Sequence, residues 1–167
     1  ISPEMTRNQE LEYIVRSKAA VEEETGRNIS GWYSPERAGT VHTAGLVQEA
    51  GFAWTADWNI DEVPVPLAGD AEGLTSLPFS LDTEDTHQLY TRGMRFGDYE
   101  RLVHEAIDQL IADADAVGPR YLGLTWQGWV LGQACYADVA ESVMRRLSED
   151  PDIQVLLPSQ LLSSVPA

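Results

Sequence analysis

The chain has 167 residues, with 27 acidic against 11 basic side chains, a formal net charge of −16 and a pI of about 4.3. Nucleic acids and anionic membranes both require a basic face, so neither is expected as a partner, and no apolar run approaches the ~20 residues of a membrane-spanning helix. The single cysteine, Cys135, excludes an internal disulfide and any multi-cysteine metal site.

With 43% apolar and 23% charged residues, the composition is that of an ordinary globular protein, long enough for one domain with a real core. No secretory signal stands at the start, and a cytoplasmic location is expected. The first residue is Ile1, which leads to the expectation of a processed product, a fragment or a mature form.

Ser2-Pro3-Glu4 predicts a helix start of N-cap, N1 proline and first-turn acid, with the helix running to Thr25 and stopping at Gly26. Its apolar stripe is expected along Leu11, Ile14, Val15 and Lys18, with Val21 close by. Ile29 to Ser34 predicts a short strand, and Thr40 a cap for a second helix over 41–50 ended by Gly51. Phe52 to Asp57 predicts a strand, followed by a loop rich in Pro, Gly and acids. Leu74 to Asp82 contains Pro78 and is expected as an irregular or edge strand.

From Asp98 the apolar spacing is helical over four turns (Tyr99, Leu102, Val103, Ala106, Ile107, Leu110, Ile111, Ala114), and Gly118-Pro119 ends it. A buried strand is predicted over 120–125, a helix over 136–148 and a last buried strand over 153–157, with Ser159 capping a terminal turn. Strands alternating with helices imply a largely parallel α/β architecture as one domain over residues 1–167. With only about five strands this is a partial barrel, closed by strands from elsewhere.

Ligands of parallel α/β folds sit at the carboxyl ends of strands. Here those ends carry Trp32, Tyr33 and Arg37; Asp57 and Trp58; Asp82 and Asp85; and Trp126, Gln127 and Trp129. Aromatics and polar groups at several strand ends point to a binding site, although ordinary caps and loops give the same pattern. Asp57 and Asp82 stand out because each follows an apolar run, where a carboxylate can act as a base or a ligand. Arg37 suits an anionic or carbonyl group, or a surface ion pair. No two of His42, His87 and His104 have the i, i+4 spacing that puts two imidazoles on one metal, and His87 alone lies near candidate carboxylates. Nucleophile elbows, phosphate loops and dinucleotide fingerprints are missing.

Taken in order, GWYSPER, FAWTADWNIDEVPV, LPFSLDTED and LTWQGWVLGQ resemble the later motifs of the polysaccharide deacetylases, the NodB homology family, and most closely its allantoinase-like branch of small-amide hydrolases. The resemblance covers nearly the whole chain and only the C-terminal part of the family domain. It implies the later part of a distorted (β/α) barrel and hydrolysis of a C–N amide bond, in an N-acetylated sugar or a small cyclic amide. It also implies a divalent, zinc-like metal whose ligands, with the catalytic aspartate, are not on this chain. They are expected on a complementary N-terminal chain or segment of the same barrel.

The related sequences resemble Leu-Thr-x-His-Pro-Trp-x-x-Gly-Gln-Pro, matched here by Leu124, Thr125, Trp129, Gly132 and Gln133. Gln127 stands where the family has its general-acid histidine, and Gly128 and Ala134 replace the prolines. An amide has no titratable proton near neutral pH but still donates to an oxyanion. The expected roles are Arg37, Asp57 and Gln127 as catalytic-site groups and Trp32, Tyr33, Trp58, Asp82, Asp85, Trp126 and Trp129 as substrate-binding groups. The competing expectation is a degenerate subunit that binds ligand or supports an active partner.

Overall fold

The computed structural model describes residues 1–164. They divide into two compact units, one of Ile1–Pro78 together with the segment from Pro158 onward, the other of Phe79–Leu157.

The first unit begins with α1 (Arg7–Thr25). Its cap is Thr6, not Ser2: Gln9 N–H donates to Thr6 Oγ1 and Thr6 N–H donates to Gln9 Oε1 at 2.9 Å. This two-sided box satisfies first-turn donors, and Ser2–Met5 is left as a turn closed by Met5 N–H on the Ser2 carbonyl. The C-terminal stop is Gly26, left-handed at φ 65°. The buried stripe is Glu10 and Ile14, whereas Val15 and Val21 are each 46% exposed. The helix is rotated towards Glu10 because its carboxylate accepts from the Thr40 hydroxyl (2.7 Å) and the Thr43 hydroxyl at the start of α2 (Thr43–Glu49).

Four two-residue strands follow: β1 (Gly31–Trp32), β2 (Trp54–Thr55), β3 (Val65–Pro66) and β4 (Thr75–Ser76), in the order β1-β2-β4-β3. The first three in that order run parallel, and β3 is antiparallel to β4. Leu74 to Asp82 is therefore no edge strand. Pro78 lies beyond the paired residues, and the edge proline is Pro66 on β3. In β1, Gly31 lies opposite Trp54, and an added Cβ would fall 1.9 Å from the Trp54 ring, so only glycine lets the indole cross this backbone. Ile14, Trp32, Leu46, Val47, Phe52 and Leu74 form this unit's core. The helix Pro158–Ser164 belongs to the same unit.

In the second unit, α3 (Phe96–Val117) and α4 (Ala137–Glu149) pack through Tyr99, Val103, Ile107, Val139 and Val143. Two short turns precede them, a 3₁₀ turn at Leu81–Thr83 and a π-helical turn at Thr86–Thr91. Two predicted strands are corrected. Residues 120–125 make a single parallel bridge, Gly123 to Phe79, because their chain is half-buried and meets a partner at one residue only. Residues 153–157 form no strand: Val155 and Leu157 are 69% and 65% exposed, so the run is not the buried one its composition suggests.

Candidate functional site

In the first unit the parallel register of β1 and β2 brings the residues that follow them side by side. Asp57, after β2, is buried, and its carboxylate accepts from Ser34 N–H (2.6 Å) and from the Ser34 hydroxyl (2.7 Å). Ser34 Oγ in turn accepts from Trp32 Nε1 at 2.8 Å, and Trp32 is fixed edge-on against Phe52. The result is a relay of indole, hydroxyl and carboxylate inside low-dielectric surroundings. Burial raises the Asp57 carboxyl above its ordinary value, and the bonds from Ser34, Thr55 and the nearby Arg37 charge only partly offset it. A carboxyl held back from ionisation is suited to carrying a proton in acid–base work.

Arg37 reaches this group through an unusual backbone. Glu36 and Arg37 are consecutive non-glycine residues at φ 55° and 53°, a conformation costing about 1–3 kcal/mol each. Arg37 Nε donates to the Tyr33 hydroxyl at 2.9 Å, with the guanidinium 5.2 Å from that ring's centroid. Trp58 is half-buried, and its carbonyl accepts from the Ser76 hydroxyl of β4.

The second unit holds the remaining candidates. Asp85 is fully buried and turned inward. Oδ1 accepts from Thr86 N–H (2.7 Å), capping the π-helical turn, and Oδ2 accepts from Gln127 N–H (2.8 Å). Both oxygens face main-chain donors, so Asp85 positions Gln127 and presents no carboxylate to a substrate. The Gln127 carbonyl accepts from Val130 and Leu131, which are core residues, while its half-buried side-chain amide makes no hydrogen bond among the described residues. Trp126 Nε1 donates to Tyr99 Oη at 2.9 Å, and that hydroxyl donates to the Thr83 carbonyl. Desolvation pushes the Tyr99 phenol far above its ordinary value, so it stays a neutral donor. Trp126 is thus a fixed wall. Trp129 is 57% exposed, and Asp82 lies at the surface with Arg92 at 3.9 Å.

Among the described residues no three His, Cys, Asp or Glu side chains are placed to hold a metal ion. His104 meets Ser142 (3.1 Å) and Glu100 (3.9 Å), His87 lies in the π-helical turn, and His42 precedes α2. The donor set among the described residues therefore does not fit a zinc-like ion.

Sequence reasoning gave no role to Ser34 or Tyr99, the two hydroxyls that anchor the tryptophans. The signal for Ser34 was its place two residues past Trp32, at the end of a predicted strand. Tyr99 carried none beyond its helical period.

No family model matches the chain, and no curated protein matches it in sequence. Solved structures do match in fold. A protein of Pseudomonas aeruginosa assigned as a polysaccharide deacetylase superposes with a TM-score of 0.84 at 20% identity, over 96% of this chain and 54% of its own. The Puue allantoinase superposes at 0.85 and 21% identity, over 96% and 53%. A Mycobacterium smegmatis protein, also assigned as a polysaccharide deacetylase, superposes at 0.79 and 20% identity, over 95% and 56%. The chain has the α/β fold of the polysaccharide deacetylase and allantoinase structures, as a partial barrel spanning about half their length.

Proposed function

We propose that the chain is the later part of a hydrolase that cleaves a C–N amide bond in an N-acetylated sugar or a small cyclic amide. The observation that supports this most is the fold shared over nearly the whole chain with polysaccharide deacetylase and allantoinase structures. In this reading a complementary N-terminal chain or segment supplies the base and a divalent metal, which the described residues do not fit. In the first unit Asp57 and Arg37 orient a polar substrate group or ligand; in the second, Trp126 and Trp129 act as walls and Gln127 donates a neutral hydrogen bond to an oxygen that gains charge. The hydrogen bonds that hold the buried Asp57 carboxylate and those that fix the Gln127 backbone support these roles.

The second reading is a degenerate subunit that binds ligand or supports an active partner. Gln127 favours it, because an amide cannot deliver a proton to the leaving amine.

A pH–rate profile on the assembled protein separates the two. In the hydrolase reading, Gln127→Ala lowers turnover by ~10²-fold. Gln127→His adds a basic-limb ionisation near ~6–7, the range of an unshifted imidazole. Equal rates for the wild type and both variants would remove Gln127 from the chemistry and leave the supporting-subunit reading.

A further inference from the structure

The run Ile153-Gln154-Val155-Leu156-Leu157 lies between α4 and the helix that begins at Pro158. It contains no charge, proline or glycine, and its composition is that of a strand. Yet it is neither helical nor paired, and among the described residues Gln154, Val155 and Leu156 make no hydrogen bond. Val155 and Leu157 are 69% and 65% exposed. Bare main-chain donors and acceptors beside exposed apolar side chains are a template for another strand.

The start of the run is anchored. Arg146 Nε of α4 donates to Asp150 Oδ2 at 3.4 Å, Asp152 N–H donates to Asp150 Oδ1 at 3.1 Å, and Ile153 N–H donates to the Asp150 carbonyl at 3.2 Å. Ile153 is partly buried against the core of the second unit. A segment tied down in this way loses less freedom when a partner strand adds to it. It is also unguarded. In the first unit the edge strand β3 carries Pro66, which has no N–H to offer a further strand, whereas residues 153–157 hold neither a proline nor a charge.

We propose that residues 153–157 pair antiparallel with the same residues of a second copy, forming a two-fold dimer centred on Val155. A two-fold contact requires a surface complementary to itself. In the register centred on Val155, Ile153 lies opposite Leu157 of the other copy and Gln154 opposite Leu156, so apolar side chains meet apolar ones at Val155 and on either side of it. The next residues out, Asp152 and Pro158, then face each other. Acid meets no acid, and a proline without an N–H ends the ladder. Slipping the pair towards α4 instead brings Asp150 and Asp152 of the two copies together. Avoiding that matters in a chain of net charge −16, whose copies repel each other at long range. Nor does the run carry a charge by which a different polypeptide could be selected. Five residues on each side fall well short of the roughly 800 Å² per partner of a stable interface. The dimer is therefore weak, forming between micromolar and millimolar concentration, and salt tightens it by screening the like charges of the copies.

The test is sedimentation velocity on the full chain over that concentration range. Cys135→Ser is the background, because Cys135 is exposed and would cross-link by itself. The mass is expected to pass from one chain to two, at lower concentration when salt is raised. Val155→Lys sets two like charges opposite each other and should weaken the dimer about tenfold, with an unchanged thermal melt showing that the variant is folded. Mild oxidation of Val155→Cys reads the register independently. Facing Cα atoms of an antiparallel pair lie ~4.5–5.5 Å apart, within disulfide reach. Val155→Cys is expected to give a covalent dimer, and Leu157→Cys, which faces Ile153 of the other copy, is not. A chain that stays monomeric over the whole range overturns the proposal. So does equal cross-linking at 155 and 157, or a folded Val155→Lys protein that dimerises as tightly as its parent. Protection of the 153–157 amides from hydrogen exchange only when a different polypeptide is bound would also overturn it, by giving the run to that polypeptide. None of these results bears on amide turnover, so the hydrolase assignment stands or falls by its own test.

Discussion

Asp57 and Asp85 are both buried carboxylates just past an apolar run, yet their surroundings differ in kind. Asp85 faces two main-chain N–H groups, donors that cannot move without unfolding a turn, and the Thr86 hydroxyl at the longer distance of 3.3 Å. Asp57 faces one main-chain N–H and one hydroxyl, and that hydroxyl is itself fed by an indole. The first arrangement fixes the path of the chain. The second can redistribute hydrogen bonds as a proton comes or goes, and it carries the raised pKa. Burial alone therefore does not distinguish the two carboxylates; the network behind their donors does.

The sharpest way to break this contrast is Asp85→Ala. It removes the acceptor for Thr86 N–H and Gln127 N–H, each a charge-assisted bond worth about 1.5–3 kcal/mol. We expect a loss of roughly 3–5 kcal/mol in urea unfolding and fast hydrogen exchange at the Gln127 amide. A variant within 0.5 kcal/mol of wild type, about the spread of neutral surface changes, would mean that Asp85 is not the anchor.

A smaller effect is expected at the other carboxylate. Ser34→Ala leaves Trp32 Nε1 without its acceptor and Asp57 Oδ2 without its donor. Two neutral or singly charged bonds partly replaced by water predict a cost of about 1–3 kcal/mol. Because the Ser34 hydroxyl lowers the Asp57 carboxyl, its loss should raise that value further, read by carbon NMR of the carboxyl group. A downward movement would show that the Ser34 hydroxyl does not lower it.

The same contrast explains how much was legible beforehand. Where a feature is local, the residues announce it: the stop of α1 at Gly26, the helical spacing of α3 and the break at Gly118 all appear where expected. The α/β class and the partial barrel were legible from the order of elements and from the later-motif resemblance. The strand over 120–125 was not, because an apolar run says nothing about whether a neighbour exists to pair with it. For the same reason Asp57 and Asp85 look alike in the sequence. Their deciding donors lie 23 and 42 positions away, at Ser34 and Gln127. The start of α1 failed for a local reason, two competing caps, of which the reciprocal Thr6–Gln9 pair satisfies more donors.

The smallest effect, and the one most specific to a proton-carrying Asp57, is a pH dependence. Its folded-state value lies above the ordinary 3.8 because burial disfavours the charged form. The unfolded chain therefore gives up this proton first as pH rises. The stability that the protonated group contributes is fully present below 3.8 and declines until pH passes the folded value. Asp57→Asn has no such ionisation. The melting temperature of the variant minus that of the wild type should therefore increase from acid towards neutral pH and level off above the folded value. Titrations of the other carboxylates are common to both proteins and cancel in this difference. Thermal melts of the two proteins at half-unit steps through that range measure it. A flat difference would show Asp57 ionising as it does in the unfolded chain. A falling one would show that Ser34 and Arg37 outweigh burial at Asp57.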